Sequence, residues 1–145
     1  MGIKQVLSNN DVEKIAAAAK AHALKNQWPV TIALFDDGGH LLHLTRLDGA
    51  SPMTVEMAMA KGRTAAISRR ESKFYEDLIL VQKRLSFLSA PLSGFLEGGV
   101  PITLGSDVVG AISVSGVTSQ QDAQVAFAGL AALSQAPQTP PQELS

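Results

Sequence analysis

A chain of 145 residues with a formal net charge of −1 is sized for one domain with a real core, and it carries no field that would draw it to nucleic acid or anionic lipid. The absence of cysteine removes disulfides, thiolate nucleophiles and thiolate metal sites, and fits a reducing compartment. The opening MGIKQVLSNN lacks the apolar stretch of a signal peptide, and no apolar run approaches the roughly 20 residues of a membrane span, so a soluble cytoplasmic protein is expected.

Ser8 is placed to cap a first helix, with Asp11 three residues on as a short capping box. Val12, Ile15, Ala16, Ala19 and Ala23 fall on one stripe at helical spacing, and the helix must stop before Pro29. Val30 to Phe35 (VTIALF) is β-branched and apolar and reads as a buried strand. Asp36 to Gly39 (DDGG) is a hairpin turn, and His40 to Leu47 is the returning strand. Ser51-Pro52 starts a second helix that runs to about Ser68.

That helix carries two apolar rows, Met53, Met57, Ala60, Thr64 and Ile67, and Val55, Met59, Gly62 and Ala66. Two rows need two surfaces, the sheet and a second subunit, so a homodimer or higher oligomer is expected, to be broken by Met57→Asp or Met59→Asp. Ser72 to Leu85 reads as a third helix with the stripe Phe74, Leu78, Val81 and Leu85, and SAPLSGFLEGG as a loop.

In EGGVPITLGSDVVGAISVSG, alternation puts Val100, Ile102 and Leu104 on one face of a strand, and Val108, Ile112 and Val114 on one face of the next. Gly105-Ser106-Asp107 is the turn, Pro101 suits an edge strand, and Gly110 marks a bulge or a close approach to its backbone. A last helix from about Gln120 to Ser134 buries Ala123, Ala126, Phe127, Leu130 and Leu133. The expectation is one domain over residues 1–135 and a disordered proline- and glutamine-rich tail over 136–145. The order α-β-β-α-α-β-β-α, with strands joined as hairpins, gives an α+β layer fold with a largely antiparallel sheet.

The runs VTIALFDDGGHLLHLTRLDGA, VEMAMAKGRTAA, GGVPITLGSDVVGAISVSG and AFAGLAAL stand in that order within Leu7 to Leu133. Together they resemble the GlcG/HbpS-like family, also called the haem-degrading domain family and related to the C-terminal domain of PduO-type corrinoid adenosyltransferases. The resemblance implies a profilin-like fold, an antiparallel sheet flanked by helices, and self-assembly into dimers or rings. It implies haem binding and breakdown for some members. For others it implies an accessory protein or enzyme of glycolate, propanediol or glycerol catabolism, acting on a small hydroxy acid or alcohol-derived metabolite. A purely structural oligomer is the third reading.

Arg46 and Asp48 match the family's R-x-D-G, and Glu56 and Lys61 its helix motif. Five residues apart, Glu56 and Lys61 lie about 140° apart around a helix and need separate partners. Lys61, Arg63, Arg69, Arg70 and Lys73 concentrate positive charge, and the Gly98-Gly99 amides could meet an anion. One reading is a site for haem or another planar carboxylated ligand formed by Arg46, Asp48, Glu56, Lys61, Arg63, Thr64, Arg69, Gly98 and Gly99. Such binding would fall with salt and depend more on Arg63 or Arg69 than on His40. The other reading is a solvated face with buried ion pairs that fix the helix on the sheet. Among the histidines, His22 is the metal-ligand candidate, since His40 and His43 point to opposite faces of a strand. The nucleophile motif GxSxG is absent, GSDVVG sits in a turn rather than at a helix start, and nucleic-acid binding is not expected.

Overall fold

A computed structural model of the protein describes residues 1–134; the expected tail at 136–145 lies outside the described residues, as does the domain boundary at 135. The elements are α1 (Asn9–Lys25), β1 (Thr31–Asp36), β2 (Leu41–Arg46), α2 (Met53–Ser68), α3 (Ser72–Leu80), a 3-10 turn (Leu85–Ser89), β3 (Gly99–Leu104), β4 (Asp107–Ser115) and α4 (Ser119–Ser134). This is the expected α+β order. The strands form one sheet, β2-β1-β4-β3, in which every neighbouring pair is antiparallel.

Strand alternation sorts the core into two layers. Ile32, Leu34, Val100, Ile102, Ile112 and Val114 face α1 and α4, where they meet Ile15, Ala19, Val125 and Ala126. Ala33, Phe35 and Ala111 face the other way, onto Ala58, Ala65 and Ala66 of α2. Each large aliphatic so buried contributes about 1.5–3 kcal/mol relative to exposure. The Ser8–Asp11 capping box forms in both directions, and the five stripe residues of α1 are its buried ones. A second box opens α4: Gln121 N donates to Thr118 Oγ1 at 3.2 Å, and Thr118 N to Gln121 Oε1 at 3.3 Å.

Four expectations are corrected. The third helix ends at Leu80, where Val81 and Gln82 both donate to the Asp77 carbonyl and Lys83 turns left-handed (φ 61°). Its stripe is therefore broken: Leu78 is buried, but Val81 and Leu85 are exposed. In α4 the buried face holds Val125 in place of Phe127, because α4 lies so close to α1 that a Cβ at Gly129 would sit 3.0 Å from the Ile15 carbonyl oxygen. In β4 it is Val109, not Val108, that joins Ile112 and Val114, because the register slips between Ile102 and Thr103. Gly110 lies at this bulge, and a Cβ there would be 2.2 Å from the Phe35 carbonyl oxygen. Finally, neither apolar row of α2 is buried throughout: of the first row Thr64 is buried, and of the second Gly62 and Ala66 are. The helix presents Thr54, Ala58, Lys61, Gly62 and Ala65 to the fold, leaves Met53 and Ile67 exposed, and packs Met59 against the core.

Candidate functional site

The small residues of α2 bring its axis close to the sheet: a Cβ on Gly62 would lie 2.1 Å from Phe35 Cε1. At that range the long side chain of Lys61 is wholly inside. It runs past Gly98, whose backbone (φ 131°) and missing Cβ leave the passage open, and its Nζ reaches Asp122 Oδ2 of α4 at 3.3 Å and the Glu97 carbonyl at 3.1 Å. Asp122 Oδ1 accepts from Val117 N at 3.1 Å. The pair thus ties a helix on one face of the sheet to a helix on the other. Burial pushes the Lys61 ammonium down, against the attraction of Asp122, and pushes the Asp122 carboxyl up, against the pull of Lys61.

Gly98 and Gly99 both stand against Lys61, and the Gly99 amide is taken, which corrects the expectation of a free amide there. Gly99 N donates to Ser72 Oγ at 2.9 Å, and a Cβ there would meet the Lys61 carbonyl at 2.4 Å. Thr64 is also internal, donating to the Ser93 carbonyl at 2.5 Å. The positive cluster is largely committed. Arg69, in the left-handed region at the end of α2, donates to the Asp37 and Ala66 carbonyls at 2.6 and 2.9 Å. Arg70 lies 4.2 Å over the Phe74 ring, and Lys73 pairs with Asp77 at 2.8 Å. Arg63 is exposed on the flank where α2 meets the Gly39 turn.

The remaining candidates divide between two concavities. Glu56 is exposed on the wall of a groove of about 690 Å³ between α2, α3 and the segment that follows, together with Met57, Ala60, Glu76, Ile79, Leu80, Leu88, Leu92, Phe95 and Leu96. Glu76 Oε1 accepts from Glu97 N at 2.7 Å, so one wall is pinned to the start of β3. Arg46 and Asp48 line a separate cleft of about 400 Å³ with Lys20, Leu24, Trp28 and Thr45. His22 sits beside that cleft, edge-on to Trp28 at 5.9 Å, and its covered Nε2 has no partner among the described residues. His40 pairs with Asp36 at 3.1 Å and His43 Nε2 with Thr45 Oγ1 at 2.7 Å. Among the described residues no group of three or more His, Asp or Glu side chains could hold a metal ion, and no helix is long and apolar enough to cross a membrane.

Asp122 and the groove leucines escaped the sequence reading. Thr118-x-x-Gln121 marked the start of α4 and so put Asp122 in its first turn, but the partner across the sheet is a tertiary fact. The leucines of LSFLSAPLSGFLEGG were visible as apolar residues in a loop, a pattern that signals a surface in need of cover.

Residues 7–131 match the family model for haem degrading protein HbpS-like. Protein GlcG of Escherichia coli is 46% identical over 115 residues, which cover 79% of this chain and 85% of that one. A crystal structure of a double mutant of Streptomyces reticuli HbpS superposes with a TM-score of 0.80 at 30% identity, covering 92% of this chain and 90% of that chain. A crystal structure of a PduOC–heme complex superposes with a TM-score of 0.81 at 25% identity, covering 88% and 95%.

Proposed function

Because the chain belongs to the HbpS-like family of haem degrading proteins, we propose that it binds haem or a similar planar carboxylated ligand in the groove between α2, α3 and the 3-10 turn. The observation that carries this reading is the groove itself, about 690 Å³ with walls that are apolar apart from Glu56, Glu76 and Ser93. Ligand sites are typically concave, mostly apolar and about 300–1,000 Å³. The macrocycle would rest on Met57, Leu80, Leu88, Leu92 and Phe95, gaining about 25 cal/mol per Å² of apolar surface covered. The groove suits the ring, and Glu56, exposed at its wall, offers an oxygen donor to iron of the kind that holds haem iron in some proteins. Bound haem would supply the oxidative chemistry of its own ring opening. No lysine or arginine lines the groove, so the ligand's carboxylates would point to solvent.

Haemin titration tests the reading. A saturable Soret band at one haemin per chain is expected, lost in Leu92→Asp and altered in shape by Glu56→Gln. Reversal of Arg63 or Arg69 and added salt should have little effect, since neither arginine lines the groove. A spectrum of free or aggregated haemin throughout sinks the proposal.

Self-association belongs to the same reading. Leu80, Val81, Leu85 and Leu88 are 61–72% exposed, and Val81 and Leu85 lie outside the groove lining, so a second copy of the chain seated on these two beside the groove would cover apolar surface that the ligand does not. Light scattering at micromolar concentration, where specific interfaces persist, should give at least twice the 15.2 kDa chain mass. Val81→Asp should lower it, and a monomeric wild type refutes the assembly.

A further inference from the structure

We infer that the cleft beside Trp28 is a second ligand site, for a small organic acid that carries a hydrogen-bond donor next to its carboxylate. This does not depend on the haem reading, because the cleft shares no lining residue with the groove. The cleft has about 400 Å³, room for a small metabolite rather than a macrocycle. It forms where the end of α1 meets the end of β2.

The charges of the lining favour an anion. Arg46 uses its Nε on the Ala50 carbonyl at 3.0 Å, which fixes the guanidinium and leaves both terminal nitrogens without a partner among the described residues. Two parallel N–H groups on one rigid fork match a carboxylate. Lys20, from α1, likewise has no partner among the described residues and adds a second cation. The end of a helix ordinarily repels an anion. Here three of its last four carbonyls are already taken: His22 O by Asn26 N and Nδ2, Ala23 O by Trp28 N, and Leu24 O by Gln27 N.

The rest of the lining narrows the class. Asp48 is an acceptor in the same cleft, and an acceptor beside two cations selects a ligand that brings a hydroxyl or ammonium as well as a carboxylate. Sulfate lacks that donor group, and a plain carboxylate leaves Asp48 unsatisfied. Trp28 and Leu24 give the carbon skeleton an apolar wall, and the edge contact with His22 fixes the indole.

Trp28 is the one tryptophan of the chain, so its fluorescence reads this cleft directly. Titrations would use lactate, alanine, propionate and sulfate. Lactate or alanine should give a saturable change with half-saturation in the millimolar range or below. Propionate, which differs from lactate by the hydroxyl alone, should bind at least about tenfold more weakly, the scale of one hydrogen bond to a charged group. Arg46→Gln should weaken lactate by a similar factor or more. Since that change also frees the Ala50 carbonyl, Lys20→Gln is the second test of the cations, and its melting temperature should match wild type. Asp48→Ala, which removes the acceptor, should erase the preference for lactate over propionate while propionate still binds. No saturable change with lactate or alanine, equal binding of propionate or sulfate in the wild type, or an unaltered titration in Lys20→Gln and Arg46→Gln would each overturn the inference. Leu92→Asp, which blocks the groove, should leave every one of these titrations unchanged.

Discussion

Replacing Lys61 with methionine should cost about 3–5 kcal/mol of folding stability, the usual penalty for leaving one member of a buried ion pair behind. Lys61 and Asp122 are 2% and 4% exposed, so water cannot solvate the carboxylate that remains. The variant should escape part of the penalty at low pH. Burial already holds the Asp122 carboxyl above its ordinary value, so the folded chain takes up that proton at a higher pH than the unfolded chain does. With the lysine gone the carboxyl rises further, and stability recovers as pH falls through its folded value toward the ordinary 3.8. The double variant Lys61→Met/Asp122→Asn removes both charges and keeps an acceptor for Val117 N–H, which Asp122 now satisfies. It should regain most of the loss, since replacing a whole buried pair is often close to neutral. Urea denaturation of the two single variants and the double closes the cycle. A loss below about 1 kcal/mol in Lys61→Met, within the range of an exposed pair, would show that the pair is not buried as described.

Gly62→Ala should destabilise by about 1–3 kcal/mol, the cost of overpacking a filled core. The sign is the informative part. Within an unconstrained helix the same change stabilises by about 1 kcal/mol. At this position the new Cβ would stand 2.1 Å from Phe35 Cε1 and 2.7 Å from Ser113 Oγ, and Ser113 Oγ is itself bonded to the Ala58 carbonyl. The ring cannot yield easily, because Phe35 is 1% exposed. Phe35→Leu introduced beside Gly62→Ala should recover part of the loss, since a smaller side chain makes room. If thermal denaturation shows Gly62→Ala to be as stable as wild type or more so, α2 does not approach the sheet this closely.

What the sequence made legible was local. Ser8 and Asp11 lie three residues apart, and the stripe from Val12 to Ala23 repeats at helical spacing, so α1 could be read directly. The two hairpins, the edge position of Pro101 and the close contact at Gly110 could be read from alternation and turn chemistry. The misreadings came where a neighbour decides. Val109 replaces Val108 because of a bulge whose position depends on pairing with β3. The inward face of α2 could not be read because it carries a lysine, and hydrophobic patterning assigns lysine to solvent until Asp122 is in place to receive it. The site candidates separated for the same reason. Residues matched to one family's motifs lie on both flanks of α2 and at the far end of β2, so proximity in motif did not mean proximity in space.

The central strands carry a kinetic consequence. β1 pairs with β2 and β3 with β4 across short turns, contacts that a chain can close within microseconds. The β1–β4 pairing, from Thr31 with Ser115 to Asp36 with Gly110, instead joins segments with α2, α3 and the long loop between them. The packing of α1 against α4 spans still more of the chain. Neither local hairpin has a buried face of its own until that seam shuts, so the barrier to acquiring the fold is the closure of one large loop, and its cost is chain entropy. Side chains along the seam, Ile32 and Leu34 against Ile112 and Val114, are therefore the ones whose truncation should slow folding, whereas those of the outer strands should chiefly hasten unfolding.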